Sequence, residues 1–330
     1  MLRAALTALV TLTAAPAVAL CGGESYFDRL TAPERAQIDS AVAATPYAEG
    51  LTWTLTRGSD TLTLVGTMHI YDSRLTPLHD AIAPTLAEAD LLLVETTPAE
   101  EAEMQEAFLA DPGLYLIQDG PTLPDLLPAD VWEDVQAAAA ERGMPAFVIS
   151  QFQPWYLSLT LGIPSCAMSE LAQGQRGLDH MLMTTADQGG VPVQALEGWE
   201  TLISVLASDP LEEQLDVLKM GLLPAEDQSA MFVAMLDSYF SEQVAAVWEV
   251  SQVAAAALSD ISEAETAALM EDTKTVLLTD RNQKWMPVIA EAVAAHDNIV
   301  VAVGAAHLPG KDGMLDLLEA DGWAITRITR

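Results

Sequence analysis

The chain has 330 residues, 51% of them hydrophobic, with 48 acidic against 14 basic side chains and a formal net charge of −34. Length and apolar content suffice for a full core, in one large domain or a core with a cap, and exclude a disordered chain. That charge argues against nucleic acid and anionic lipid surfaces as partners, and acidic residues scattered over helices read as a solubilising surface.

Residues 1–19 carry one charge, Arg3, then a small apolar run from Ala4 to Ala15 and the cleavage-type triplet Ala17-Val18-Ala19. This reads as a secretory signal peptide, set apart from the fold. Its apolar run is too short to span a bilayer. A lipoprotein reading at Cys21 is weaker, because Leu20 stands where a small residue belongs. No later segment is suited to cross a membrane; Val244 to Leu258 comes nearest and is interrupted by Glu249, Ser251 and Gln252. The mature chain is therefore expected in the periplasm or outside the cell. In that oxidising setting Cys21 and Cys166 favour a structural disulfide over two inert thiols.

Thr31-Ala32-Pro33-Glu34 starts a helix with an N-cap and a capping-box glutamate. Leu51–Thr56 and Thr61–Val65 alternate on either side of Arg57-Gly58-Ser59-Asp60, as a β-hairpin does. The second strand ends in Gly66-Thr67-Met68-His69. A helix from Leu75 to Ala89 leads to the short buried strand Leu91–Val94, which ends on Glu95. The three form a strand–helix–strand crossover. Residues 99–147 read as mostly helical, and Gln151–Leu161 as an apolar helix whose Trp155 and Tyr156 suit a core better than a cleft wall.

Asp179 is the expected N-cap of a helix running to Gln188, which Gly189-Gly190 stops. The strand Val191–Leu196 then ends on Glu197. From Glu200 to Ala295 the pattern gives about four amphipathic helices, with Pro210, Pro224 and Pro287 near their ends. The last carries Arg281-Asn282 and feeds the strand Ile299–Val303, which runs into Gly304-Ala305-Ala306-His307. A helix at Gly313–Leu318 and a closing strand at Trp323–Ile328 follow. The expected architecture is α/β: a central mixed, largely parallel sheet flanked by helices. It forms one domain over 20–330, with a mostly helical cap at about 200–295.

Four short apolar strands are thus followed by His69, Glu95, Glu197 and His307. In open α/β sheets ligands bind beyond the carboxyl ends of the strands. If these strands lie parallel in one sheet, all four groups meet in one crevice. Two imidazoles and two carboxylates suit a divalent metal such as Mn, Co or Zn. Such an ion activates water, leaving one glutamate as general base. The bland alternative, a hydrogen-bonded loop histidine and a strand-end glutamate serving a helix cap, fits each piece taken singly. The repeated Gly-x-x-His unit argues against it.

Arg281 and Asn282 read equally as a solvated helix face or as an active-site pair for an anionic group. His79, His180 and His296 read as ordinary surface groups. There is no H-E-x-x-H and no G-x-S-x-G. Gly304 to Lys311 is no P-loop, since one residue too many separates the glycines and Asp312 stands where Ser or Thr belongs.

These residues resemble the TraB/GumN family, whose animal relatives are the TIKI proteases. The likeness rests on Gly66-Thr67-Met68-His69, Glu95, Gly177-Leu178-Asp179, Leu196-Glu197, Arg281-Asn282 and Ala302 to Gly310 with Gly313. It spans roughly residues 50–330. The resemblance implies a divalent-metal hydrolase, with a peptidase as one form of it. His69, Glu95 and His307 would bind the metal, Glu197 and Arg281 would serve catalysis, and the substrate would be a peptide or small molecule. Distant kinship to haem-binding folds leaves an alternative: a protein that holds haem or another small ligand in the same crevice without catalysis.

Overall fold

A computed structural model describes residues 21–258 and 262–329. The signal-peptide expectation at 1–19 lies outside the described residues. Among the described residues six strands are formed: β1 (Thr52–Arg57), β2 (Asp60–Thr67), β3 (Leu91–Val94), β4 (Val193–Ala195), β5 (Asn298–Gly304) and β6 (Ala324–Arg327). They make one sheet in the order β4-β3-β5-β2-β1-β6. β4, β3, β5 and β2 run parallel, while β1 pairs antiparallel with both β2 and β6. The fold is therefore α/β, with a mixed, largely parallel sheet flanked by helices. The crossover from β2 through the helix Leu75–Ala87 to β3 skips one place, and the distant β5 fills it.

The apolar runs follow from burial on both faces. Val65, Leu92, Val94, Val300 and Ala302 face the helices Leu75–Ala87, Leu178–Gly189 and Ala225–Phe240. The alternate residues Leu64, Leu91, Leu93, Ile299, Val301 and Val303 face Trp285 and Ile289 of the helix Asp280–Ala295, with Leu315 and Leu318 of the helix Met314–Ala320. Two smaller cores lie outside this sandwich. One joins the helix Pro154–Gly162 to Leu215 and Leu218, and the other packs Tyr26 and Ile38 against Val250 and Ala254. Trp155 is buried and lines a cavity, while Tyr156 packs against the first of these smaller cores.

Cys21 and Cys166 form a disulfide across a sequence separation of 145. No helix among the described residues is long and apolar enough to cross a membrane.

Two details differ from the sequence pattern. The stretch expected to hold about four helices contains Trp199–Ala207, Leu211–Gly221, Ala225–Phe240, Val244–Leu258, Glu263–Lys274 and Asp280–Ala295, with a π-turn at Thr275–Thr279. Pro210 and Pro224 stand just before helices, but Pro287 lies inside Asp280–Ala295. That helix continues through the missing N–H because Trp285, Ile289, Ala292 and Val293 are buried along it, and their packing outweighs one lost hydrogen bond.

Candidate functional site

The parallel registers align Val65, Ala302, Val94 and Ala195 in one row. The chain therefore leaves all four strands at the same edge, and His69, Glu95, Glu197 and His307 come beyond it. Each Gly-x-x-His glycine allows a close approach. A Cβ on Gly66 would lie 2.7 Å from Leu308 Cδ1, so the first motif packs directly on the second. A Cβ on Gly304 would lie 3.1 Å from Glu95 Oε1, 3.6 Å from His307 Cδ2 and 3.7 Å from His69 Nε2. Three of the candidate residues thus surround a single point.

His69 opens onto a cavity of about 360 Å³ that is also lined by Thr67, Glu95, Glu101, Met104, Asp179, His180, Trp199 and Arg281. Its side chain is 62% exposed, and its Nδ1 lies 3.1 Å from Asp179 Oδ2. The same Asp179 oxygen lies 3.1 Å from His180 Nδ1, and His180 Nε2 is 2.9 Å from Glu101 Oε1. Desolvation by the surrounding walls pulls the His69 imidazole down, but the bond and charge of Asp179, with the charge of Glu95, outweigh it and push the ring up to about 9. The bonds from Asp179 and Glu101 likewise push His180 up to about 9. Burial opposes ionisation of Asp179, yet the two imidazoles hold its carboxyl well below the usual range.

Glu95 accepts from the Gly304 N–H at 2.6 Å through Oε1 and from Arg281 Nη2 at 2.7 Å through Oε2. Burial alone would raise its carboxyl. The charges that His307, His69 and Arg281 present, with the Gly304 N–H, bring it down to about 2 instead.

His307 is 4% exposed and stacks at a tilt on Trp285, ring centroids 4.5 Å apart. Asn282 donates through Nδ2 to the Asp312 carbonyl at 3.0 Å, which leaves its Oδ1 to accept from His307 Nδ1 at 2.7 Å. The His307 Nε2 then carries the lone pair. Burial pushes this ring down to about 4, against the pull of Glu95 and with the charges of Arg281 and His69. At neutral pH the centre therefore holds a charged His69, a neutral His307 and an ionised Glu95.

Glu197 stands behind this group. Its Oε1 accepts from Arg281 Nε at 2.9 Å and from Nη2, and its Oε2 from Trp285 Nε1 at 3.1 Å. It does not line the cavity; Arg281 does. The guanidinium also donates to the Leu277 carbonyl at 3.2 Å, inside the π-turn.

Among the described residues no group of three or more His, Cys, Asp or Glu side chains is arranged to hold a metal ion. Arg281 faces Glu95 Oε2 and lies 3.4 Å from His307 Nε2. A guanidinium already supplies positive charge to two of the three expected ligands, so the donors as they stand do not fit a divalent ion.

Two expectations need correction. Asp179 is not the N-cap of its helix; Gly177 is, and the aspartate sits in the first turn with its carboxylate turned to the imidazoles. The N–H groups of Gly177 and Leu178 donate to the carbonyls of His69 and Met68, each at 2.9 Å, and so staple this helix start to the first histidine motif. Nor is His180 an ordinary surface group, since it bridges two carboxylates at the cavity wall. Asp179 stood in the Gly177-Leu178-Asp179 motif, and His180 had no signal beyond following it at a helix start.

The sequence profile of the TraB/PrgY/gumN family matches residues 51–327. The chain is similar to the uncharacterized protein YbaP of Escherichia coli (strain K12), 23% identical over 255 residues that cover 77% of this chain and 86% of that protein. YbaP of Shigella flexneri matches with the same identity and coverage.

Proposed function

The chain belongs to the TraB/PrgY/gumN family, and on that premise we propose that the crevice is the acid–base centre of a hydrolase acting on a peptide or small-molecule substrate. The observation that carries this reading is the pairing of His69 with Glu95. An imidazole held protonated and a carboxylate held ionised meet at Gly304, on the floor of a cavity open to ligand. Groups whose surroundings drive their pKa values apart mark acid and base partners.

In this reading water adds to the substrate's carbonyl carbon as Glu95 takes its proton, and the Arg281 guanidinium offsets the charge growing on the carbonyl oxygen. His69, oriented at Nδ1 by Asp179, gives its Nε2 proton to the leaving group. The proton on Glu95 then restores His69. Glu197 is a positioning residue: three donated bonds spend its carboxylate on Arg281 and Trp285.

A second reading keeps the divalent metal (Mn, Co or Zn) on His69, Glu95 and His307. The shared point at Gly304 favours it. It requires the guanidinium to leave His307 Nε2, while Glu95 Oε1 faces the point already. Elemental analysis of the mature chain beside a His69→Ala, His307→Ala variant separates the two. Near-stoichiometric metal that the variant loses supports the second reading. Hydrolysis that survives chelation and disappears in His69→Ala supports the first.

Haem or small-ligand binding without catalysis is the alternative that the largely apolar wall of this cavity leaves in place. A Soret band lost on His69→Ala would favour it. The Cys21–Cys166 bridge agrees with a periplasmic or secreted location.

A further inference from the structure

A second cavity, of about 320 Å³, lies between the helices Pro154–Gly162, Trp199–Ala207, Leu211–Gly221 and Glu263–Lys274, and the π-turn Thr275–Thr279 closes it. Its walls are apolar: Trp155, Leu159, Leu206, Val217, Leu269 and Leu277 contribute. Leu159 leaves 46% of its surface open. The volume falls in the range of ligand pockets, roughly 300–1,000 Å³.

The polar groups around it are of one kind. Ser158 and Thr273 spend their hydroxyls on the carbonyls of Pro154 and Leu269, at 2.9 and 2.7 Å. Gln214 donates to the Asp209 carbonyl at 2.7 Å. What remains is the carboxylates of Asp209, Glu213 and Asp272. No Lys, Arg or His lines the cavity among the described residues. The lysines on the same helices are engaged elsewhere, Lys219 with Asp216 at 2.7 Å and Lys274 over the Trp248 ring. Three carboxylates lining an apolar cavity with no cationic side chain disfavour an anion there and favour a cation.

The π-turn borders both this cavity and the Arg281 centre. Such turns concentrate at functional sites. This one presents Val276 and Leu277 to the cavity, while the Leu277 carbonyl accepts from Arg281 Nη1 on the other side.

We propose that this cavity is a second binding site, taking a ligand with an apolar body and a positively charged amine head that faces Asp209, Glu213 and Asp272. It is separate from the hydrolytic reading and stands if that reading fails.

The test is calorimetric titration of the full chain, at physiological ionic strength, with three probes that share one body: phenylbutylamine, phenylbutanol and phenylbutyrate. The amine is expected to bind roughly tenfold or more tightly than the carboxylate, with the alcohol between them. Val217→Trp, which fills the cavity from its partly exposed helix, should abolish binding of all three. Leu206→Trp does the same from another wall and serves if the first variant does not fold. A Glu213→Gln, Asp272→Asn variant should bring the amine down to the level of the alcohol. Carboxylate binding as tight as amine binding would overturn the proposal. So would amine binding untouched by the filled cavity, which would mark mere attraction to the acidic surface.

Discussion

Arg281 lies against His307, its Nη1 3.4 Å from the imidazole Nε2. Because His307 Nδ1 is committed to Asn282, the guanidinium faces the one lone pair of the ring. A protein cation thus faces the ring nitrogen that the sequence leads one to expect on a metal.

Removing that cation should be costly. Arg281→Ala takes the guanidinium from the buried Glu95 and Glu197, and breaking such a pair costs about 3–5 kcal/mol. Arg281→Lys returns the charge but not the fork that serves both carboxylates, and should recover only part of the loss. Chemical denaturation measures both. A stable Arg281→Ala variant would show that the guanidinium is not the compensating charge.

Gly304→Ala separates chemistry from folding. The backbone there, at φ −50° and ψ 135°, suits any residue. The added methyl would enter the point between Glu95, His69 and His307. Hydrolytic turnover should fall roughly tenfold or more, since small displacements at a reacting centre are expensive. Stability should change by only about 1 kcal/mol. Equal turnover in variant and parent would remove the reacting point from Gly304.

The two histidines should give stability opposite pH limbs. His69 rises from 6.5 to about 9, so its contribution is complete below pH 6.5 and fades as the pH climbs through 9. His307 falls from 6.5 to about 4, so its contribution is complete above 6.5 and fades as the pH drops through 4. Glu95, lowered from 4.5 to about 2, adds a further acid limb that is lost as the pH falls through 2. Urea midpoints recorded across pH should therefore be highest near 6.5. His69→Gln should lose part of the alkaline limb, and an unchanged limb would contradict the assignment.

The disulfide should matter through the unfolded chain. Closing a loop of 145 residues stabilises by about 4–5 kcal/mol in the chain-entropy account. A Cys21→Ser, Cys166→Ser variant should unfold at correspondingly lower denaturant. A midpoint equal to that of the parent would show that the bridge constrains little.

His180→Gln should loosen one wall of the crevice. The helix Pro98–Ala110 buries none of its residues and is tied by Glu101 to His180 and by Glu100 to the Trp199 N–H at 3.0 Å. Hydrogen exchange should quicken in 98–110 and not in β2, β3 or β5. Unaltered protection in that helix would mean that packing alone holds it.

Sequence by itself determined the parallel strands and the residues that end them. A run such as Ile299–Val303 has to be buried on both faces, and its first polar group has to emerge at the sheet edge. The histidine motifs, Glu95 and Glu197 were legible for that reason, and the disulfide pair from an even number of cysteines behind a secretory leader. What only the tertiary structure decided is which charges meet. Helical periodicity gives Arg281 a face but no partner. Folding sets it between Glu95, Glu197 and His307, and so leaves Glu197 fully bonded behind the cavity. A capping preference likewise placed Asp179 at a helix start, whereas two imidazoles from separate segments draw its carboxylate inward. Pairings of this kind depend on distances between parts of the chain that one-dimensional patterning does not encode.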